Sequence, residues 1–269
     1  MVVNGTVGIV TGAARGIGFA LADRFLAEGA AGITVVDLDR ADVDAALADL
    51  TARHGDRVLG VAADVTDEAA VASFVAATEE RFGPVGLFAA NAGIGTGQGI
   101  EADLATWDRI WHVNVMAHVL AARAVVPGMV ERGGGIFLTT ASAAGLLAQI
   151  GDAGYSVTKH AAVSFAEWLS ITYGDRGLQV ACLCPQGVNT AMLQSVMGGA
   201  ATATVKAQGV IEPTDVADAV IDALADRRFL VLPHPEVAEY MQRRASDPDR
   251  WLAGMRKLQA RIVAALREG

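Results

Sequence analysis

Tyr155 and Lys159 stand four residues apart in the stretch GYSVTKH, residues 154–160. On an α-helix this spacing is slightly more than one turn, so the phenol and the ammonium would share a face, about 6 Å apart along the axis. A phenol beside a positive charge can exchange protons in acid/base catalysis. The same spacing also arises where two amphipathic side chains cover a helix surface. Whether the pair is catalytic or only covers a helix surface depends on the residues that the rest of the chain places beside it.

A glycine-rich stretch, TGAARGIG at residues 11–18, joins a short apolar run to a helix-length segment. Glycines at such a turn let the backbone approach a pyrophosphate, and the following helix N-terminus offers free N–H groups. The spacing G-x-x-x-G-x-G is not the commonest dinucleotide fingerprint, and a tight connection alone could explain it. The candidate dinucleotide contacts here are Gly12, Arg15, Gly16, Ile17 and Gly18.

Asp37 ends the second apolar run, where an acidic side chain can bind the adenosine ribose hydroxyls and repel a 2′-phosphate. Arg15 favours the opposite preference, because an arginine in the glycine turn could bind that phosphate. Leu38, the next residue, supplies no basic group. On balance the sequence predicts NAD rather than NADP.

Polar or glycine residues also follow the later apolar runs. Ligands bind at the carboxyl edge of parallel sheets, so several such strand ends in succession indicate a binding crevice. The further candidates are Asp64 with Val65, Asn91 with Ala92 and Gly93, Ser142, and Pro185, Gln186, Gly187, Val188 and Thr190.

The order of apolar runs and helix-length segments predicts an α/β fold. Seven strands alternating with six helices imply a Rossmann-type, doubly wound parallel sheet with helices on both faces. The predicted strands are 6–12, 32–37, 57–64, 86–93, 135–142, 178–185 and 228–233, and the predicted helices are 16–30, 40–54, 67–82, 103–132, 153–175 and 213–226. We expect one dinucleotide-binding and catalytic domain, 1–233, followed by a helical extension, 234–269. Asp247-Pro248 suits the start of a helix in that extension.

Composition narrows the possible functions of this 269-residue chain. A net charge of −9 argues against nucleic-acid binding, which needs a basic face. No uncharged apolar run reaches the roughly 18 residues of a bilayer span, and no signal peptide is visible, so we expect a cytoplasmic protein. Cys182 and Cys184 are expected to be buried free thiols, and the histidines show no zinc spacing, so no metal is predicted.

Two predicted helices, 103–132 and 153–175, contain segments that are apolar almost all round. A helix lying on a sheet needs only one apolar face, so the outer faces require a second partner. We expect these helices to form the interface of a homodimer or homotetramer.

Taken together, these motifs resemble the short-chain dehydrogenase/reductase family, in its single-domain branch. The matching residues occur in family order between residue 6 and about residue 190: TGAARGIG, Asp64-Val65, Asn91-Ala92-Gly93, Asn114, Ser142, Tyr155-x-x-x-Lys159 and Pro185 to Thr190. Within the family, CPQGVNTAML and IEPTDVADAVIDAL look like the hydroxyprostaglandin dehydrogenase type and related bacterial secondary-alcohol dehydrogenases.

The resemblance implies a role for each catalytic candidate. Tyr155 would be the general acid/base for an alcohol or ketone oxygen. The charges of Lys159 and of an oxidised nicotinamide would together lower the pKa of Tyr155, and Lys159 would also hold the nicotinamide ribose. Ser142 would donate a hydrogen bond to the substrate oxygen. Asn114 would hold a water that links Lys159 to solvent. Each residue alone also has a structural explanation, and Ser156 and Thr158 are expected only to space the pair.

The chain departs from the family pattern at three places. Ala90 replaces the first Asn of the usual Asn-Asn-Ala-Gly, Gln186 interrupts the usual Pro-Gly, and about 35 residues follow the last strand. Segment 191–211 corresponds to the variable lid, where Gly198-Gly199 could act as a hinge. Because Lys206 is the one basic residue in this segment, we expect an apolar, uncharged substrate. Its candidate contacts are Ala144, Gln149, Gln186, Met192, Leu193, Val196 and Met197.

The expected activity is NAD-dependent interconversion of a secondary alcohol and a ketone. An NADP-dependent ketoreductase is disfavoured by Asp37, and a β-ketoacyl reductase by the scarcity of basic residues near the lid. A sugar epimerase or dehydratase would need a different glycine spacing and a larger C-terminal domain. A non-catalytic NAD-binding sensor or scaffold would be expected to lose Tyr155, Lys159 or Ser142.

Overall fold

The short apolar runs form the strands of a sheet whose central strands are buried between two layers of helices. The computed structural model describes residues 2–195 and 209–268. Its main sheet has seven parallel strands in the order β3-β2-β1-β4-β5-β6-β9, which confirms the predicted fold class. The strands are β1 Val7–Thr11, β2 Gly32–Asp37, β3 Val58–Ala62, β4 Val85–Ala90, β5 Gly135–Thr140, β6 Leu178–Leu183, β7 Gly187–Val188, β8 Val210–Ile211 and β9 Leu230–Val231.

The helices of the described residues cover both faces of this sheet and continue into the extension. They are α1 Gly16–Ala27, α2 Arg40–His54, α3 Glu68–Phe82, α4 Leu104–Trp111, α5 Ala117–Glu131, α6 Ala153–Tyr173, α7 Ala191–Ser195, α8 Pro213–Ala225, α9 Glu236–Ser246 and α10 Pro248–Glu268. The start of α10 confirms the predicted cap, since the Asp247 carboxylate accepts a hydrogen bond from the Arg250 backbone N–H at 3.0 Å.

Two apolar layers hold the sheet. Phe25 and Leu87 belong to the layer beneath α1 and α8, and Phe88 and Phe137 belong to the layer beneath α3, α5 and α6. The rings of Phe88 and Phe137 stack with centroids 5.8 Å apart, which joins neighbouring strands β4 and β5. This packing fixes the carboxyl ends of the strands, where the candidate residues lie.

The predicted helix 103–132 is interrupted by a π-helical turn, His112–Met116, between α4 and α5. Such turns insert one residue into a helix and are frequent at functional sites. The whole run, Leu104–Glu131, is long and apolar enough to cross a membrane by length and composition, and 56% of its most apolar window is buried inside the fold. It packs on β4 and β5, as a core helix does.

The strands are shorter than several of the apolar runs, because the polar residues at the run ends belong to loops. The seventh strand is reduced to Leu230–Val231, and a separate parallel pair, β7 with β8, was not predicted. Cys182 and Cys184 are buried free thiols with their sulfurs 3.7 Å apart, as expected for one face. Val196, Met197 and the proposed Gly198-Gly199 hinge lie outside the described residues.

Candidate active site

Tyr155 and Lys159 lie in the first turns of α6 and share one face of it. The Lys159 ammonium is 5.5 Å from the centroid of the Tyr155 ring and donates a hydrogen bond to the Thr140 carbonyl at 3.0 Å. Lys159 is only 3% exposed, so it is not a surface side chain. Asp152 caps α6 by accepting from the Tyr155 backbone N–H at 2.9 Å, which fixes where the helix begins.

Asn114 is fully buried in the π-helical turn and faces the same site. Its side-chain oxygen accepts from the Ile94 N–H, and its amide donates to the Ile94 carbonyl, both at 2.9 Å. The amide also donates to the Thr158 hydroxyl at 3.1 Å. Besides spacing Tyr155 from Lys159, Thr158 therefore ties the π-helical turn to α6.

Gly93 lies between the Lys159 and Asn114 side chains. A Cβ placed on it would stand 3.2 Å from the Lys159 nitrogen and 3.3 Å from the Asn114 side-chain oxygen. The glycine thus keeps open the space between an ammonium and an amide oxygen, which is where a water linking the two would have to sit.

Ser142 follows β5 and meets both Tyr155 and the loop after β6. Its hydroxyl lies close enough to the Tyr155 phenol to lower the pKa of that phenol, and it donates a hydrogen bond to the Pro185 carbonyl at 3.4 Å. The Ala144 N–H donates to the Ser142 hydroxyl at 3.1 Å. The hydroxyl is therefore held beside the phenol at the carboxyl edge of the sheet.

Burial shifts the proton affinities of this group. Desolvation lowers the pKa of Lys159 to about 8. Desolvation also raises the pKa of Tyr155, against a lowering by the hydrogen bond with Ser142. In the protein without a dinucleotide, burial outweighs the contributions that lower the pKa of Tyr155.

The glycine turn is shaped for close backbone approach. Gly12 and Gly16 have φ angles of +62° and +59°, a backbone conformation that residues with a Cβ rarely adopt. A Cβ on Gly12 would lie 2.8 Å from the Ala92 Cα, and one on Gly18 would overlap the Gly12 carbonyl. The Asn91 amide donates to the Thr11 carbonyl at 3.0 Å and ties the β4 loop to this turn.

Asp37 lies beside the glycine turn, as predicted. Its carboxylate accepts from the Ala14 N–H at 3.0 Å and from the Leu38 N–H at 2.8 Å. Arg15 instead forms an ion pair with Asp42 at 3.0 Å on the exposed side of the turn. The acidic group therefore faces the turn while the arginine is engaged by α2.

The segment after β6 brings the remaining cofactor candidates to the same edge. Gly187–Val188 pairs with β8, and the Thr190 hydroxyl lies 3.3 Å from the Val188 carbonyl. A Cβ on Gly16 would lie 3.1 Å from the Thr190 methyl group, so this segment closes over the glycine turn. Asp64 is exposed and accepts from the Thr66 backbone and hydroxyl, which orders the loop that carries Val65.

The substrate candidates are only partly assembled by the described residues. Ala144 is buried behind Ser142, and the Gln149 backbone N–H donates to the Ser156 hydroxyl at 2.8 Å. Met192 is 42% exposed, and Leu193 is partly buried.

Asp152 is a site residue that the sequence analysis missed. Its carboxylate accepts from the Thr96 N–H and the Gly97 N–H, both at 2.7 Å, and from the Thr96 hydroxyl at 2.8 Å. With its cap on Tyr155, it joins the loop after β4 to the start of α6. An Asp three residues before a helical Tyr is a capping signal that could have identified it.

Two buried histidines were also missed. His118, one turn after Asn114, is 1% exposed, and His234, after β9, is 4% exposed. His160 stays outside the site, as expected, with its ring hydrogen-bonded to the Ser156 carbonyl at 2.8 Å. Within residues 2–195 and 209–268, no group of three or more His, Cys, Asp or Glu side chains could hold a metal ion.

The comparisons with known proteins all indicate the same family. The model described as short chain dehydrogenase matches residues 6–199. The 2-(S)-hydroxypropyl-CoM dehydrogenase 3 of Xanthobacter autotrophicus is 34% identical over 82% of this chain and 90% of its own. The 1-deoxy-11-beta-hydroxypentalenate dehydrogenase of Streptomyces exfoliatus is 36% identical over 85% of this chain and 82% of its own. A crystal structure of a short chain dehydrogenase/reductase from Burkholderia phymatum in complex with NAD superposes with a TM-score of 0.83, at 29% identity over 93% of this chain and 96% of that one.

Proposed function

Because the chain belongs to the short-chain dehydrogenase/reductase family, we propose that it is an NAD-dependent oxidoreductase that interconverts an apolar secondary alcohol and its ketone. The observation that carries this proposal is the meeting of Ser142, Tyr155 and Lys159 at the carboxyl edge of the sheet, with Asn114 behind them.

The residues at the glycine turn fit a nicotinamide dinucleotide. Gly12 and Gly16 adopt left-handed backbone conformations, and the N-terminus of α1 begins at Gly16. Such a turn lets phosphate oxygens reach backbone N–H groups. Asp37 would bind the adenosine ribose, and Lys159 the nicotinamide ribose. The dinucleotide supplies the hydride acceptor or donor, and the protein supplies alignment.

The preference for NAD over NADP rests on the charges around the adenosine end. The Asp37 carboxylate lies at the glycine turn, where it would repel a 2′-phosphate. The Arg15 guanidinium is engaged by Asp42, which leaves it less able to bind that phosphate. An NADP-dependent ketoreductase is the second candidate, and Arg15 is the residue that favours it.

The proton would pass between the substrate oxygen and Tyr155. Ser142 would donate a hydrogen bond to the same oxygen and stabilise the charge that develops on it. Burial raises the pKa of Tyr155 in the protein alone, so the positive charge of the oxidised nicotinamide would have to favour the phenolate. Lys159 and Asn114, on either side of Gly93, would carry the proton onward through a water.

The assembly proposal concerns the outer faces of α4, α5 and α6. Trp111 is 41% exposed, Trp168 54% and Ile171 83%. Large apolar side chains at this exposure favour a protein partner. We keep a homodimer or homotetramer through these helices as part of the proposal, to be checked by the mass of the protein in solution.

A screen of the purified protein tests the function. Secondary alcohols and ketones of graded size are incubated with NAD(H) or NADP(H), and nicotinamide absorbance is followed. Turnover with NAD(H) and apolar substrates is the expected result, and a clear preference for NADP(H) would contradict the Asp37 argument. Dinucleotide binding without any turnover, unchanged in Tyr155→Phe, would instead favour a non-catalytic sensor or scaffold.

A further inference from the structure

His234 is a buried side chain that the mechanism above does not use. It follows β9 at the start of the C-terminal extension and is 4% exposed. Strand β9 pairs with β6 through Leu183 and Val231, so the chain segments that follow the two strands leave the sheet side by side. One of those segments is the turn Pro185 to Gly187.

The imidazole of His234 contacts that turn directly. The Gln186 backbone N–H donates a hydrogen bond to its Nδ1 at 3.2 Å. An accepting Nδ1 carries a lone pair, so the ring is neutral with its proton on Nε2. If Nδ1 were also protonated, its N–H would face the Gln186 N–H, and two donors cannot form a hydrogen bond with each other. The hydrogen bond therefore exists only while the ring is neutral.

The same turn is held on its other side by the catalytic candidates. The Pro185 carbonyl accepts from the Ala143 N–H at 2.9 Å and lies 3.4 Å from the Ser142 hydroxyl. The turn thus lies between His234 and Ser142. Two of the departures of this chain from the family pattern, Gln186 and the extension after the last strand, meet at this one hydrogen bond.

We propose that His234 is a positioning residue, whose neutral imidazole holds the Pro185–Gly187 turn in the geometry that dinucleotide binding requires. This inference rests on the proposed function for its ligand. Burial lowers the pKa of His234, while the charge of Glu236 at the start of α9 and the backbone of Gly187 raise it. Because the burial effect is the largest, the ring stays neutral at neutral pH and is protonated only on the acid side of 6.5.

Two substitutions separate positioning from packing. In His234→Asn the side-chain oxygen occupies the place of Nδ1 and can accept from the Gln186 N–H. In His234→Leu the branching is similar but the acceptor is lost, which leaves a donor without its partner. We expect His234→Leu to bind NAD about tenfold more weakly, and His234→Asn to stay near the wild type.

Amide exchange provides a readout that does not depend on turnover. Hydrogen–deuterium exchange of the peptide 184–190, without dinucleotide, should be faster in His234→Leu and near normal in His234→Asn. After correction for the intrinsic pH dependence of amide exchange, the wild type should lose protection in this peptide and bind NAD more weakly as the pH falls from about 8 to about 5, and His234→Asn should lack both changes. If His234→Leu does not fold, the asparagine variant and the wild-type pH series still decide the question.

Equal exchange and equal NAD affinity in the wild type and His234→Leu would overturn the proposal, as would an asparagine variant that behaves like leucine. A wild type that binds neither dinucleotide would overturn the proposed function instead. The exchange measurement would then still test whether His234 holds the turn.

Discussion

The amide of Asn114 and the hydroxyl of Thr158 form a buried hydrogen bond of 3.1 Å between the π-helical turn and α6. The Thr158 hydroxyl also donates to the Gly154 carbonyl at 2.8 Å, so it both accepts and donates in the interior. Thr158→Val should therefore lower the free energy of unfolding by about 1–3 kcal/mol, because it leaves polar groups without a partner. Urea unfolding measures this, and Thr158→Ser, which keeps the hydroxyl, is the control expected to stay near the wild type.

Tyr155→Phe tests the acid/base role. The ring and its contact with Lys159 are kept, while the phenol oxygen beside Ser142 is lost. We expect kcat to fall by about 10²–10⁴-fold with little change in dinucleotide affinity. In the wild type the rate of alcohol oxidation should rise with pH, because burial raises the pKa of the phenol that must lose its proton. A variant that keeps its turnover would refute the assignment.

Asp37→Ala should shift the cofactor preference toward NADP. The substitution removes the carboxylate that accepts from the Ala14 N–H and would repel a 2′-phosphate. The ratio of kcat/KM for NAD to that for NADP is expected to fall by about tenfold. Asp42→Ala is the matched control, because it frees Arg15 and keeps Asp37. A larger shift in the control than in Asp37→Ala would mean that Arg15 sets the preference.

His118 should make the fold sensitive to acid. Desolvation, with the charge of Lys159, lowers its pKa from 6.5 to about 3, against the effect of the Ala92 backbone. Between these values the unfolded chain binds a proton that the folded chain does not, so stability falls as the pH falls below 6.5. At about pH 5 the loss from this group is about 2 kcal/mol.

His118→Leu removes this titration and should reduce the loss of stability at acid pH. Urea unfolding of both proteins at about pH 5 and at neutral pH isolates the contribution of His118 from that of the other histidines. Neither ring nitrogen of His118 has a hydrogen-bond partner of good geometry within the part of the chain that the structure describes. The leucine variant should therefore lose little stability at neutral pH, and an equal loss of stability at acid pH in both proteins would contradict the prediction.

The sequence predicted the sheet and helix order because the apolar runs are buried on both faces and differ clearly from the amphipathic segments between them. It also predicted Tyr155 and Lys159 on one face, since that follows from helix spacing alone. It could not predict the contacts of Asp152 with Thr96 or of His234 with Gln186, which join distant parts of the chain. It also could not predict that burial raises the pKa of Tyr155 in the protein alone, because desolvation depends on the packed interior, which spacing does not reveal.

Gly93→Ala tests the space between Lys159 and Asn114. The added methyl group would stand 3.2 Å from the Lys159 nitrogen and 3.3 Å from the Asn114 oxygen, closer than ordinary contact. The crowding should displace the ammonium and any water between the two groups, and we expect kcat to fall by roughly tenfold. Gly95→Ala is the matched control, since its methyl group would meet the Asp152 carboxylate at 3.4 Å and the Tyr155 ring at 3.9 Å, both ordinary contacts. Equal turnover in the two variants would show that the space beside Gly93 has no part in the reaction.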